Sequence, residues 1–159
     1  MNLDERLLEN LAKWRPDSGR QTLTVSEPTT NTTVTVTADR CDVVGTQLWE
    51  AAYHRPATLD AAGLRTWAEK TAARATGLLE PLRVLEVDAV RLTALLRSQA
   101  PTHRGDNLFY YELRLHSDGR AHVARYQASA KPDGHRQQVV FALTHEALAK
   151  LFSDINASL

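Results

Sequence analysis

The sequence FYYELRLHSDGRAHVARYQA, residues 109–128, contains the pattern that decides the fold. Apolar and polar side chains alternate on both sides of Ser117-Asp118-Gly119-Arg120, and Asp-Gly is a favoured pair in a two-residue β-hairpin turn. The pattern therefore predicts two antiparallel strands joined at Asp118-Gly119. Counting back from this turn predicts four pairs on the core face: Leu115 with His122, Leu113 with Ala124, Tyr111 with Tyr126 and Phe109 with Ala128.

The remaining side chains of the two strands lie on the opposite face of this hairpin. The predicted pairs are Arg114 with Val123, Glu112 with Arg125, and Tyr110 with Gln127. Tyrosine and arginine beside aliphatic side chains form the composition that is enriched at protein interfaces, although a solvated face of an antiparallel sheet is the alternative. We predict a partner-binding surface formed by Tyr110, Arg114, Arg125 and Gln127.

The chain after this hairpin continues the meander. The turn Lys131-Pro132-Asp133-Gly134 in a four-residue loop predicts a third strand that pairs Val139 with Tyr126, Phe141 with Ala124 and Leu143 with His122. Thr144 is then predicted to cap a C-terminal helix, because Leu148, Leu151, Phe152 and Ile155 follow it as one apolar stripe.

The preceding residues predict two further helices and several strands. Apolar side chains at helical spacing indicate helices over residues 3–14 and 60–76, and alternation indicates strands over 21–25, 32–37 and 45–55. Residues 82–87 are typical of a strand, whereas residues 90–99 fit either a strand or a helix, and we favour a hairpin that joins these two segments. The prediction is a single α+β domain over residues 1–159, with mostly antiparallel sheet or sheets of about seven or eight strands in meanders, packed by three helices. How the strands before Pro81 are ordered in the sheet relative to those after it stays open.

Composition excludes several classes of function. The 19 basic and 19 acidic residues balance, which removes the long-range attraction on which non-specific nucleic-acid binding depends and leaves little self-repulsion against homodimerisation. Cys41 is the one cysteine and cannot form an internal disulfide. Because the sequence has neither an apolar run of about 18 residues nor a signal peptide, we expect a cytoplasmic protein without a membrane partner.

Sequence motifs for catalysis are missing from this chain. The glycines are scattered, so the sequence has neither a phosphate-binding loop nor a dinucleotide fingerprint, and it has no Gly-x-Ser-x-Gly motif. Cys41 lies between Asp39-Arg40 and Asp42, and the two carboxylates oppose formation of a thiolate, so we expect a buried or merely incidental cysteine rather than a nucleophile. His116 and His122 are predicted on opposite faces and cannot share a metal ion. We predict no catalytic residue, no cofactor and no metal.

Four arginines near the proposed 82–99 hairpin form a second candidate group. Arg83, Arg91, Arg97 and Arg104 could hold a carboxylate or phosphate through paired hydrogen bonds, and solvated arginines beside Glu86 and Asp88 are the alternative, which we favour.

The order of elements, a helix, three strands, a helix, further strands and a helix, is similar to that of the type III secretion chaperone group. These are small dimeric α+β proteins that hold partner polypeptides, and the resemblance implies a polypeptide-binding dimer. From the residues themselves we predict a non-enzymatic cytoplasmic protein-interaction module that forms a homodimer through a sheet face or edge. A small-ligand-binding protein or small enzyme, with a pocket between the sheet and the central helix, stays open as the alternative.

Overall fold

The computed structural model describes residues 1–132 and 134–159, which form three helices and one ten-stranded antiparallel sheet. In chain order the elements are α1 (Leu3–Lys13), β1 (Gln21–Glu27), β2 (Thr32–Cys41), β3 (Gly45–His54), α2 (Ala61–Arg74), β4 (Leu82–Asp88), β5 (Thr93–Ser98), β6 (Thr102–Arg104), β7 (Asn107–His116), β8 (Arg120–Ser129), β9 (Arg136–Val139), β10 (Phe141–Thr144) and α3 (His145–Ser158). The predicted α+β class and its three helices are confirmed. The predicted strand number is too low because it omits β6 and treats β9 and β10 as one strand.

Each helix begins where a polar side chain binds free backbone N–H groups. The Asn2 side chain accepts from the backbone of Glu5 to start α1, and Asp60 accepts from Gly63 to start α2. Thr144 accepts from Ala147 and starts α3, as predicted. Among the described residues, no helix has both the length and the apolar character to cross a membrane.

The two halves of the chain share one sheet, which resolves the open strand order. The order is β1-β2-β3-β8-β7-β5-β4, so that β3 from the first half pairs with β8 from the second. The hairpin favoured for residues 82–99 is confirmed as the β4–β5 pair. Strands β10, β9 and β6 pair with β3, β8 and β7 respectively and complete the sheet.

Two side chains replace backbone hydrogen bonds where neighbouring strands separate. The Gln138 amide of β9 donates to the Trp49 carbonyl of β3 at 2.9 Å, between the stretches of β3 that pair with β10 and with β8. On the other side of the sheet, the Ser98 hydroxyl accepts from the Tyr111 N–H at 2.8 Å, between the stretches of β7 that pair with β5 and with β6. Buried backbone groups are thus satisfied where the ladder is interrupted.

All three helices pack on one face of the sheet, here named the helix face, and the opposite face is named the outer face. Alternate strand residues such as Val34, Leu48 and Leu113 are fully buried on the helix face. The indole N–H of Trp67 in α2 donates to the Ile155 carbonyl of α3 at 3.0 Å. Apolar burial on this face is the main stabilising contribution to the domain.

The β7–β8 hairpin forms as predicted, but its register differs by one residue. Leu113 pairs with Val123 and Glu112 pairs with Ala124, so the predicted Glu112–Arg125 pair is wrong. The reason is the turn: Gly119 has φ +90° and its N–H donates to the His116 carbonyl. This is a three-residue loop with glycine in the left-handed region rather than a two-residue turn. The predicted side chains of β7 keep their faces, and those of β8 exchange faces.

The next pairing also differs from the prediction. Val139 pairs with Arg125 rather than with Tyr126, and the strand does not continue along β8. Phe141 and Leu143 instead belong to β10 and pair with β3, which separates them from their predicted partners Ala124 and His122. Asp133, in the predicted turn, lies outside the described residues.

The hairpin tip lies against the segment that connects β3 to α2. Three backbone hydrogen bonds join them: Arg55 N–H to Gly119 O (3.2 Å), Ala57 N–H to Asp118 O (3.1 Å) and Leu59 N–H to Ser117 O (3.0 Å). A Cβ atom at position 119 would lie 1.8 Å from the Arg55 carbonyl oxygen. Only glycine satisfies both the backbone angle and the contact.

Gly119→Ala is expected to lower the free energy of unfolding by more than about 3 kcal/mol. Alanine is strained at a positive φ, and its Cβ would also break the hydrogen bonds between the hairpin tip and the segment from Arg55 to Leu59. Gly105→Ala is the matched control: its φ is +61° but nothing lies within 4 Å of its Cβ position. The control should lose about 1–2 kcal/mol. Urea titrations followed by circular dichroism measure both values. Equal losses would show that the contact with Arg55 contributes nothing.

Candidate interaction surface on the sheet

The outer face of β5, β7, β8 and β9 contains a group of arginine and tyrosine side chains, and no helix of the described chain covers it. Of the four residues predicted to bind a partner, Tyr110 is half-buried and Arg114 is exposed on this face. Arg125 and Gln127 lie on the helix face, because their partners across the hairpin are Tyr111 and Phe109. The structure thus brings two of the four together and separates them from the other two.

Glu112 is the centre of the group on the outer face. It is only 2% exposed because arginine side chains surround it. Arg97 donates from Nε and Nη2 to Glu112 Oε2 at 3.0 and 2.6 Å, and Arg136 donates from Nη1 to the same oxygen at 2.8 Å. Arg114 Nη2 lies 3.7 Å from Oε1. We name Glu112, these three arginines, Tyr110 and Tyr126 the Glu112 cluster.

The carboxylate of Glu112 is ionised but incompletely satisfied. Burial acts to raise the pKa of Glu112, and the hydrogen bonds from Arg136 and Arg97 outweigh it, so the pKa lies below its ordinary value. Oε1 is buried and has no hydrogen-bond partner among the described residues. A buried acceptor in this condition costs free energy, so a donor that reaches it would stabilise the cluster.

Both tyrosine rings of the cluster contact a guanidinium group. Arg97 lies 5.0 Å from the centre of the Tyr110 ring, and Arg136 lies 4.1 Å from that of Tyr126. The two rings are cross-strand partners and stack with their centres 6.0 Å apart. Such contacts favour one side-chain arrangement, so these side chains are largely ordered.

The sequence prediction misses Tyr126, Arg97 and Arg136 as members of this surface. A hairpin register shifted by one residue also gives favourable pairs, among them Tyr110 with Tyr126, and comparing both registers could have identified Tyr126. Arg136 shares a face of β9 with Gln138, two residues later. Arg97 belonged to the predicted arginine group near β4 and β5, but its contact with Glu112 depends on the β5–β7 pairing, which the sequence left open.

Arg125 performs a structural role on the helix face, where it is 6% exposed. Its Nη1 and Nη2 atoms donate to the two carboxylate oxygens of Glu80, both at 2.9 Å. The hydroxyls of Ser98 and Thr102 donate to the same carboxylate at 2.7 and 2.6 Å. The guanidinium also lies 4.2 Å from the centre of the Tyr111 ring. The pair joins the segment after α2 to β5, β6 and β8.

A hollow of about 710 Å³ lies beside Cys41 on the helix side. The Cys41 sulfur lies 3.5 Å from His145 Nε2 and 3.5 Å from the Leu11 carbonyl oxygen, to which the thiol donates. Sequence reasoning could not foresee the contact with His145, which comes from the fold bringing β2 and α3 together. Cys41 is buried, which is the first of the two alternatives expected for it.

A second hollow, of about 640 Å³, opens between the segment after α2, the sheet and the start of α3. Apolar side chains form most of its wall, among them Leu78, Phe109 and Phe141. Arg125 also lines it, but its hydrogen bonds to Glu80 already hold the guanidinium. The hollow therefore presents mainly apolar surface.

Of the two histidines of the hairpin, His116 lies on the outer face as predicted, and His122 differs from its predicted position on the core face. His116 and His122 both lie on the outer face, because β8 exchanges faces, and with His54 they line a hollow of about 260 Å³. His122 Nε2 lies 2.9 Å from Glu50 Oε2. Within residues 1–132 and 134–159, no three histidine, cysteine or acidic side chains are placed to hold a metal ion.

Comparisons with known proteins found no matching family, no matching curated protein and no matching solved structure. The similarity to type III secretion chaperones therefore rests on the order of elements alone.

Loss of either partner of the Glu80–Arg125 pair is expected to destabilise the domain. Glu80→Leu and Arg125→Met should each lower the free energy of unfolding at pH 7 by about 3–5 kcal/mol, because each leaves a buried charge without its partner. The double variant should recover part of that loss, which chemical denaturation of all four proteins measures. Losses that simply add would contradict coupling between the two side chains.

The same proteins should differ in their response to acid. Burial acts to raise the pKa of Glu80, but hydrogen bonds from Arg125, Thr102 and Ser98 outweigh it, so the folded-state pKa lies below the ordinary value of 4.5. The stabilisation is therefore complete above that value and is lost as the pH falls through the folded-state pKa. The double variant should lose less stability than the unaltered protein over this range.

Proposed function

We propose that the chain is a non-enzymatic cytoplasmic protein-interaction module that docks a partner polypeptide on the outer face of its sheet, at the Glu112 cluster. The observation that carries the proposal is a fixed group of arginines and tyrosines around a buried carboxylate, on a face that no described helix covers. Arginine and tyrosine dominate the centres of protein interfaces because they combine contact area with directed hydrogen bonds.

The geometry of the cluster supports docking rather than simple solvation. A solvated arginine samples many rotamers, whereas Arg97 and Arg136 are each held by a carboxylate and a tyrosine ring. Side chains that are already ordered lose less conformational entropy when a partner binds.

Self-association is assigned to the β1 edge. Strand β1 pairs with β2 over seven residues without a bulge, and its residues from Gln21 to Ser26 include neither a charge nor a proline. An edge without these features can pair with another strand. Strand β4, at the opposite edge, has a register shift between Val84 and Glu86 and several charged side chains. A two-fold β1–β1 contact would give a homodimer, in agreement with the dimers of the secretion chaperone group.

Thr24→Lys tests the β1 dimer. Thr24 is the central residue of β1 and would face its own copy in a two-fold antiparallel pair, so the substitution places like charges together. Light scattering at micromolar protein concentration should show a dimer for the unaltered chain and a monomer for Thr24→Lys. Thr35→Lys is the control, because Thr35 is the partner of Thr24 on β2 and lies away from the edge. A monomeric unaltered chain would contradict self-association.

Arg136→Glu tests the docking face. The immobilised protein and its variants are exposed to extract from the native cells, and retained proteins are quantified by mass spectrometry. Arg136→Glu should reduce the retained partners at least about tenfold, because it reverses the charge of an arginine that binds Glu112. Lys70→Glu, an equal charge reversal at an exposed position of α2, should leave them unchanged. Equal retention by both variants would contradict docking on the outer face.

A small apolar ligand in the 640 Å³ hollow is the second candidate function. Its apolar wall and its position after α2 favour this alternative, because ligand pockets are concave and mostly apolar with few polar groups. Arg104, near Phe109 at 5.4 Å, supplies a charge at this site.

A further inference from the structure

Two arginines on the outer face are placed directly opposite each other. Arg83 on β4 is the cross-strand partner of Arg97 on β5, and Arg97 is in turn the partner of Glu112 on β7. Directly opposed residues of antiparallel strands share a face, so Arg83 lies beside the Glu112 cluster. Like charges in this arrangement repel each other, and a second carboxylate would relieve the repulsion.

The arginines exceed the acidic groups around them. Arg97, Arg114 and Arg136 surround Glu112, and Arg83 lies beside Arg97, so four positive charges lie near this carboxylate. Glu86, on the outer face of β4, forms no ion pair among the described residues. Glu50 lies two strands from Glu112 on the same face, because Ala124 pairs with both residues. With Glu86 and Glu50 included, the described residues of this part of the face have an excess of one positive charge.

Many hydrogen-bond donors of these arginines have no acceptor among the described residues. A guanidinium has five N–H donors, of which Arg97 uses those on two nitrogens for Glu112, and Arg114 approaches Glu112 only to 3.7 Å. The side chains of Arg97, Arg114 and Arg136 are 35%, 49% and 36% exposed. These donors are thus accessible from solvent while the groups themselves are held in place.

We propose that Arg83, Arg97, Arg114 and Arg136 bind the carboxylates of an acidic polypeptide segment in extended conformation. This inference rests on the proposed function and adds the chemistry of the partner. Neighbouring positions on the sheet are separated by about 5 Å across strands and by about 7–8 Å on the diagonal. Carboxylates on alternate residues of an extended chain are about 7 Å apart, so they match this spacing and can accept paired guanidinium hydrogen bonds.

Two other occupants fit the same surface less well. A second copy docked through this face in a two-fold contact would bring the positive excess against itself, which is repulsive. A nucleic acid needs long-range attraction to a basic protein, and the chain has 19 basic and 19 acidic residues. The acidic polypeptide requires only the local excess.

The test uses a fluorescent peptide with glutamate at alternate positions, its glutamine counterpart, and the full chain. Fluorescence anisotropy should show that the glutamate peptide binds at least about tenfold more tightly than the glutamine peptide, with affinity falling as salt rises. Arg83→Gln and Arg114→Gln should each weaken binding about three- to tenfold, because neither side chain hydrogen-bonds to Glu112 and both face the peptide. Arg65→Gln, exposed on α2, is the matched control and should bind as the unaltered chain does.

Thermal unfolding of the variants separates folding from binding. Arg83→Gln should keep or raise the unfolding midpoint, because it removes one of two opposed charges. Equal affinity for both peptides, or unchanged binding by both Arg83→Gln and Arg114→Gln, would overturn the inference. Tighter binding of a single-stranded oligonucleotide than of the glutamate peptide would also overturn it. If the acidic peptide fails while partner capture still depends on Arg136, this inference fails and the docking face stands.

Discussion

The backbone contact between Gly119 and the segment from Arg55 to Leu59 determines which side chains meet on each face of the sheet. It selects a three-residue loop in which glycine has a positive φ, and that loop sets the register of β7 against β8. A two-residue turn would send Arg125 to the outer face and leave Glu80 buried without its ion partner. The side chains present on the helix face and on the outer face thus depend on glycine at position 119.

Two buried carboxylates on opposite sides of the sheet illustrate two uses of arginine. Glu80 receives donors from Arg125, Ser98 and Thr102, which satisfy both of its oxygens. Glu112 receives its hydrogen bonds on one oxygen only and is surrounded by more positive charge than it neutralises. The first arrangement is complete within the domain and serves stability. The second is incomplete, which is the condition expected of a binding surface before its partner arrives.

Local patterns in the sequence predicted the helices, the hairpins and the faces of β7, because apolar periodicity and capping residues are local signals. They could not assign the faces of β8, where Ala121, Val123 and Ala124 offer apolar side chains in either register. The Asp-Gly pair fits both a two-residue and a three-residue loop, and the choice depends on a contact with Arg55 far away in sequence. The faces of Tyr110 and Arg114 were predicted correctly because these residues belong to β7. The faces of Arg125 and Gln127 were predicted wrongly because these residues belong to β8. The contact of Arg97 with Glu112 could not be predicted, because it depends on the pairing of β5 with β7, which no local signal specifies.

The pairing of β3 with β8 and β10 also has a consequence for synthesis of the protein. Among the described residues, the strand partners of one side of β3, residues 45–54, are residues 120–124 and 141–144. On the ribosome the first half of the chain therefore emerges with an open strand edge and waits for the second half before that edge can close. Contacts so distant along the chain form slowly, and an uncovered edge is attractive to other newly made chains. The domain is most vulnerable to aggregation during this interval, before its last helix has left the ribosome.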